Sequence, residues 1–409
     1  MQLFPRARSA IKYLVADSRY DYIETGSLMS IKRNVQNIVI PSEERHLGMH
    51  PLDFEEFLWA LEDETLMSLI RKCFKDTKPL GQALHRKAMD YFRQYLIVGG
   101  MPQAVEAYVA THDFARVKRD ILTLYRADIV KHTGGYEMKI AQIFDDVPAQ
   151  LQKHDRKFRL SSLQKEARMR DYEDAMFWLS DAMIVNMCYN STSPDIGLRL
   201  NMDRLTLKCY MADIGLLISH AFDENGMVSE EIYKKILFDK LETNLGMIME
   251  NIVAQMLVAS GHKLYFSSNP SRNDSASRMK IDFLIAKSKI SNRHNISPIE
   301  VKSGKQYTLR SLNKFRTKYA QQLHTPYVLH TSDVKKEGGR RHSLSTPVYD
   351  STIVTASPLT RRTSEVLDPL NLPTSLQPLL IELPTLTTEV AVVATPSVSP
   401  CFSFSFNRL

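Results

Sequence analysis

Between residues 241 and 330 the period of hydrophobicity switches from helical to alternating, back to helical and back again, and this order restricts the fold more than any other feature of the chain. In LETNLGMIMENIVAQMLVASGH, Leu241, Leu245, Ile248, Ile252 and Met256 fall on one helical face. After Gly261, Lys263-Leu264-Tyr265-Phe266 reads as a strand, and two more strands follow at 281–286 and 298–302. A helix is expected from about Thr308 to Gln321, and Thr325 to Leu329 reads as a last strand. The order α-β-β-β-α-β requires a sheet with helices packed on it, an α/β core.

Within that core, the stretch IDFLIAKSKISNRHNISPIEVKSGK carries charges inside apolar bursts. Asp282 interrupts Ile281 and Phe283-Leu284-Ile285, and Glu300 and Lys302 flank Val301. Residues two apart on a strand share a face, so Glu300 and Lys302 lie together. An antiparallel hairpin brings Asp282 beside Glu300, and Glu250 on the preceding helix can complete the group. Metal-assisted hydrolysis of a phosphodiester needs carboxylates converging on Mg²⁺ and a cation near the attacking water or the scissile phosphate. The pattern therefore reads as a metal site of Asp282, Glu300 and Glu250, with Lys302 positioning or activating water. The plainer alternative is an ion pair between Glu300 and Lys302 at a strand edge. Nearby Lys280, Lys287, Lys289, Arg293, Lys305, Arg310, Lys314, Arg316 and Lys318 would suit a phosphate backbone or simply a solvated surface.

The remainder of the chain divides by pattern. Residues 1–60 read as part of an α/β unit, with a helix in ARSAIKYLVAD whose face includes Ile11, Leu14 and Val15, and strands at Tyr20–Ile23 and Ile38–Ile40. PLDFEEFLWALEDE starts a helix with Asp53, Glu55 and Glu56 near its positive end. Residues 61–135 are expected to be helical, with stripes at Leu66, Leu69, Ile70 and Phe74 and at Met89, Phe92, Tyr95 and Leu96, the second stopped by Gly99-Gly100. Residues 136–220 predict three helices, one of them opened by Ser161-Ser162, and a strand pair at 185–189 and 206–211. That outline fits a winged helix or a generic helical lid. After Gly339 no glycine occurs and eight of the 18 prolines fall between 340 and 409, so residues 339–409 are expected to be disordered, with a frame-shifted ending as a second explanation.

Several classes are excluded. The cysteines Cys73, Cys188, Cys209 and Cys401 form no CxxC pair, which argues against a zinc knuckle or disulfide framework and fits a cytoplasmic location. No apolar run is long enough for a membrane helix, and the N-terminus lacks a secretory pattern. A net charge of +7 leans mildly towards acidic partners such as DNA. No HExxH or GxSxG is present, and no GxxxxGK[ST] exists to cradle nucleotide phosphates. Thr25 and Ser27, in YDYIETGSL, would sit at the carboxyl edge of a sheet, where α/β proteins place ligands.

Together FPRARSAIKYLVADSRYDYIETGSLMSIKRNV, IPSEERHLGMHPLDFEEFLWAL, YLIVGGMPQAV, YRADIVKH, KCYMADIGLL and PIEVKSGK resemble a family of prokaryotic AAA-like P-loop ATPases that carry a C-terminal PD-(D/E)xK nuclease-like domain. The resemblance covers about residues 2–338. It implies an α/β multidomain chain: a remnant of the ATPase domain at 1–60, a helical lid at 61–135, a winged-helix-like module at 136–220 and a restriction-endonuclease-like core at 221–338. In that family Walker A and Walker B precede the FPRAR segment, so the resemblance implies ATP binding only through the sensor-like Thr25 and Ser27, and an ATPase truncated at its N-terminus. Asp282, Glu300, Lys302 and Glu250 match the nuclease-like motif. The expected function is DNA-associated, with Mg²⁺-dependent phosphodiester hydrolysis. The alternative is a non-catalytic DNA- or protein-binding module on a vestigial nuclease fold. The N-terminal segment is expected to pair with another protein chain through uncovered sheet edges, and no membrane partner is expected.

Overall fold

The computed structural model describes residues 5–17, 19–20, 22–26, 44–132, 135–224, 227–228, 230–241, 244–269, 278–286, 295–304, 306–337, 353–356 and 389–393. The chain separates into two compact units, residues 1–50 with 386–409, and residues 51–385.

In the first unit, helix α1 (Pro5–Ala16) buries Ile11 and Val15, one turn apart, while Leu14 of the expected stripe is exposed. Strands β1 (Tyr22–Gly26) and β2 (Glu44–Gly48) each run antiparallel to a strand from the far end of the chain, β13 (Glu389–Val393), which lies between them. Thr25 is in β1 opposite Val390, but its side chain lies outside the described residues, as do Ser27 and the strand expected at Ile38–Ile40.

The second unit starts with α2 (Phe54–Ala60). Asp53 caps it by accepting from Glu56 N while the Glu56 carboxylate accepts from Asp53 N, a reciprocal capping box. Helices α3 (Leu66–Lys75), α4 (Gln82–Val98), α5 (Pro102–Ala110), α6 (Phe114–His132) and α7 (Glu137–Gln152) follow. The stripe Met89, Phe92, Tyr95 and Leu96 of α4 is buried as its spacing requires. The helix expected from Ser161 is replaced by two short 3-10 turns, Leu160–Ser162 and Met169–Asp171, ahead of α8 (Glu173–Asp181).

Strands β3 (Val185–Ser191) and β4 (Met202–Met211) form the expected antiparallel pair, but not a separate wing. After α9 (Ile214–Phe222), the short ladder of β5 (Asp223–Glu224) and β6 (Met227–Val228), α10 (Glu230–Leu237) and α11 (Leu245–Ala259), the chain enters β7 (Leu264–Asn269), and β3 pairs with β7 in parallel. The hairpin therefore extends the main sheet, to which β8 (Met279–Ala286), β9 (Ile296–Val301), β10 (Tyr327–Leu329), β11 (Lys335–Glu337) and β12 (Ile353–Ala356) also belong, with α12 (Arg310–Lys318) between β9 and β10 in the chain. Its spatial order is β11-β12-β10-β9-β8-β7-β3-β4. Strand β8 runs antiparallel to both β7 and β9, and β10 is parallel to β9, so the expected α-β-β-β-α-β order is present as α11 to β10. Segments β12 and β13 are strands inside the tail that was expected to lack structure, and the rest of that tail lies outside the described residues. No helix among the described residues is long and apolar enough to cross a membrane.

Helix α11 is buried on almost every side, which leaves its polar residues to bond inside the protein. Asn251 accepts from Met211 N at 2.9 Å and donates to Met211 O at 3.1 Å. Gln255 accepts from Ile214 N at 2.8 Å and donates to the Tyr95 hydroxyl at 3.1 Å. One helix thus ties the end of β4, the start of α9 and helix α4 together.

The α4 stop is equally specific. Gly99 has φ +85°, and a Cβ there would meet Asp213 Oδ1 at 2.3 Å. Asp213 is buried at the N-cap of α9, accepting from Leu216 N at 2.8 Å and from Gly100 N at 2.6 Å. We expect Asp213→Ala to lower unfolding free energy by about 2–3 kcal/mol, because it removes a cap and orphans the Gly100 N–H. Gly100→Ala should cost at least as much, since its Cβ would lie 2.1 Å from Leu52 O. Urea midpoints for both variants check this.

Candidate active site

The residues singled out by pattern do meet. The register Phe283↔Ile299 continues one step to set Asp282 across from Glu300. Asp282 Oδ2 accepts from Val301 N at 3.0 Å, which locks the two strands at the site. Between β7 and β8 the register slips, so that Asp282 and Phe283 together stand opposite Phe266. A slip of this kind re-aims side chains. Here Asp282 Oδ1 lies 3.8 Å from Lys208 Nζ, and the Phe283 and Phe266 rings lie 5.8 and 4.9 Å from the same ammonium.

Lys208 on β4 is fully buried and was not anticipated as a site residue. Its ammonium donates to Glu250 Oε1 at 2.6 Å. The Tyr210 hydroxyl, on the same face of β4, donates to that oxygen at 2.6 Å, and Arg156 Nη1 pairs with Glu250 Oε2 at 2.8 Å. Both oxygens of Glu250 are therefore taken. Burial by itself would raise this carboxyl, but Lys208, Arg156 and Lys280 overcome it and hold Glu250 well below the usual carboxylate range.

Glu300 is in the opposite condition. Lys302 Nζ lies 3.0 Å from Glu300 Oε2, but out of hydrogen-bond alignment, and that buried oxygen has no hydrogen-bond partner. Burial pushes the Glu300 carboxyl up to about 7; Lys302 opposes the shift and the Asp282 charge adds to it. Lys280 Nζ stands 3.3 Å from Asp282 Oδ1, and its amine is raised because Glu250 and Asp282 together outweigh its burial.

Among the described residues no three of His, Cys, Asp and Glu stand together in a group able to hold a metal ion. Glu250, expected as a ligand, is instead consumed by two cations and a hydroxyl. Asp282 and Glu300 remain as a pair of carboxylates, one of them with an unsatisfied buried oxygen, and one or two carboxylates are what Mg²⁺ commonly takes from a protein. Of the basic residues noted nearby, Lys287, Lys289, Arg293 and Lys305 lie outside the described residues, and Arg310, Lys314, Arg316 and Lys318 are on α12.

Two family models match the chain. A domain of unknown function, DUF8612, matches residues 89–225, and a second domain of unknown function, DUF4143, matches residues 245–349. No curated protein and no solved structure gives a match. The boundary between the two matches falls inside the sheet: β3, β4, Arg156, Lys208 and Tyr210 belong to the first, and Glu250, Asp282, Glu300 and Lys302 to the second.

Two outcomes test this electrostatic arrangement. Lys208→Met leaves Glu250 undercompensated in the core and should cost about 3–5 kcal/mol, most of which the added Glu250→Gln should restore; denaturant unfolding of the single and double variants checks it. Glu300 has its carboxyl raised above the ordinary 4.5, so its stabilising contribution is complete below that value and is lost as pH rises through about 7. Melting temperature in chelator should therefore fall between those limits, and Glu300→Gln should flatten that decline.

Proposed function

We propose that the core formed by α11 to β10 is a nuclease-like module that hydrolyses phosphodiesters with a divalent cation, acting on DNA. The observation that carries this is the placement of Asp282 across from Glu300 with Lys302 beside it, at adjacent strands of an α-β-β-β-α-β unit. The second family match accords with the resemblance to AAA-like ATPases, since DUF4143 is associated with them. Asp282 and Glu300 would hold the cation, and Glu250 would not. When bound, the cation supplies Lewis-acid neutralisation of the phosphoryl oxygens and a more acidic water. Lys302, on the same side as Glu300, would hold the attacking water or the scissile phosphate. Glu300 must be ionised to act as a ligand, so activity is expected to rise with pH through about 7.

The saturation of Glu250 by Lys208, Arg156 and Tyr210 favours a second reading, a non-catalytic DNA- or protein-binding module on the same core. Nicking of supercoiled plasmid in Mg²⁺ or Mn²⁺ separates them. Wild type should nick at a rate at least about a hundredfold above Lys302→Ala and Glu300→Gln. Equal background in all three, unaffected by chelator, would sink hydrolysis and leave the binding module.

A further inference from the structure

The charges around Asp282 are layered by depth. The side chains of Asp282, Glu300 and Glu250 are 11%, 3% and 2% exposed. Those of Lys280, Lys302 and Arg156 are 25%, 23% and 20% exposed. Anything arriving from solvent meets ammonium and guanidinium groups first, with the carboxylates beneath them.

Three segments build this rim. Lys280 comes from β8, and Lys302 directly follows β9. Arg156 comes from the loop after α7 and is seated by the absence of a side chain on α11. A Cβ at Gly246 would lie 2.5 Å from Arg156 Nη2 and 3.6 Å from Ser303 Oγ, so the guanidinium occupies that space beside the loop that follows Lys302. Its Nε is buried with no hydrogen-bond partner. The adjacent Lys157 is half-buried, and its ammonium is weakened first by burial. Asp155 favours that charge, while Lys208, Arg159 and Lys280 oppose it. Counting the groups described, the carboxylates Glu250, Asp282 and Glu300 face the cations Arg156, Lys208, Lys280 and Lys302, and Lys157, next to Arg156 in the chain, is near enough to feel Lys208 and Lys280.

We infer that Arg156, Lys157 and Lys280 form a phosphate-binding rim that seats a nucleic-acid backbone beside Asp282 and Glu300, holding the phosphates that flank the one presented to Lys302. Cations from two separate segments, the loop after α7 and β8, fit a repeating polyanion, whose charges recur along its length. Nucleic acid as the ligand rests on the phosphodiester reading of the adjoining carboxylates. The rim itself reads phosphate and no base, so binding through it is independent of sequence.

The test is binding without hydrolysis. Fluorescence anisotropy of a labelled DNA duplex of about 20 base pairs, with the full chain in EDTA, is followed from about 50 to 200 mM salt. Lys157→Gln and Lys280→Gln should each weaken binding several-fold and reduce the slope of log affinity against log salt by about one, equally for unrelated sequences. Lys157→Gln leaves the Glu250 and Asp282 pairings intact, so its loss of affinity cannot be put down to unfolding; unchanged melting temperature confirms this. A wild type that fails to bind, or both variants binding with wild-type affinity and slope, would overturn the rim. Binding through the rim with no plasmid nicking would remove hydrolysis and keep the rim. Nicking lost in Lys302→Ala while the rim variants bind normally would remove the rim alone.

Discussion

The ion pair between Lys208 and Glu250 is the contact on which the rest of the second unit turns. Both side chains are almost wholly out of water, and neither could remain charged there alone. Each is satisfied by more than the other: Glu250 also accepts from Tyr210 and pairs with Arg156, and Lys208 lies over two aromatic rings. The pair fixes the position of α11 against β4, and the amide clamps of Asn251 and Gln255 on the same helix repeat that fixation at β4 and α9. Because Arg156 joins through Glu250, a loop of the helical region is brought to the edge of the strands that carry Asp282 and Glu300.

The two buried glutamates illustrate how partners, rather than burial, decide charge. Glu250 and Glu300 are similarly inaccessible, yet one is held ionised and the other is pushed towards neutrality. The difference lies in aligned donors: Lys208 and Tyr210 both bond Glu250, which also pairs with Arg156, while Glu300 Oε2 has no hydrogen-bond partner. A residue that matches a motif is therefore not equivalent to a residue free to act in it, and the site that remains is smaller than the four-residue group the pattern implied.

Much of this is legible in the sequence. The order from α11 to β10 follows from amphipathic period, and Asp282, Glu300 and Lys302 follow from charges placed in strands. Lys208 was not legible, because a lysine inside an alternating strand reads as solvent-facing, and only its distant partner on α11 makes it a core residue. Arg156 lies in a loop without a period of its own. The register slip that turns Asp282 towards Lys208 leaves no local mark. The β3–β4 hairpin was visible as a pair, since antiparallel pairing is local, but its parallel join to β7 depends on residues far along the chain. By itself such a local pair fits a wing or a generic helical lid equally.

That parallel join also has a consequence for the growing chain. Strand β3 is made before α9, α10 and α11, and its neighbour β7 comes after them. During synthesis the hairpin must wait with one edge open, and Lys208 must wait with no carboxylate to neutralise it, until α11 and β7 have left the ribosome. Contacts of such long sequence separation form late and leave edges exposed in the meantime. The edge of β3 that β7 will cover thus stays open until translation has crossed from one matched region into the next.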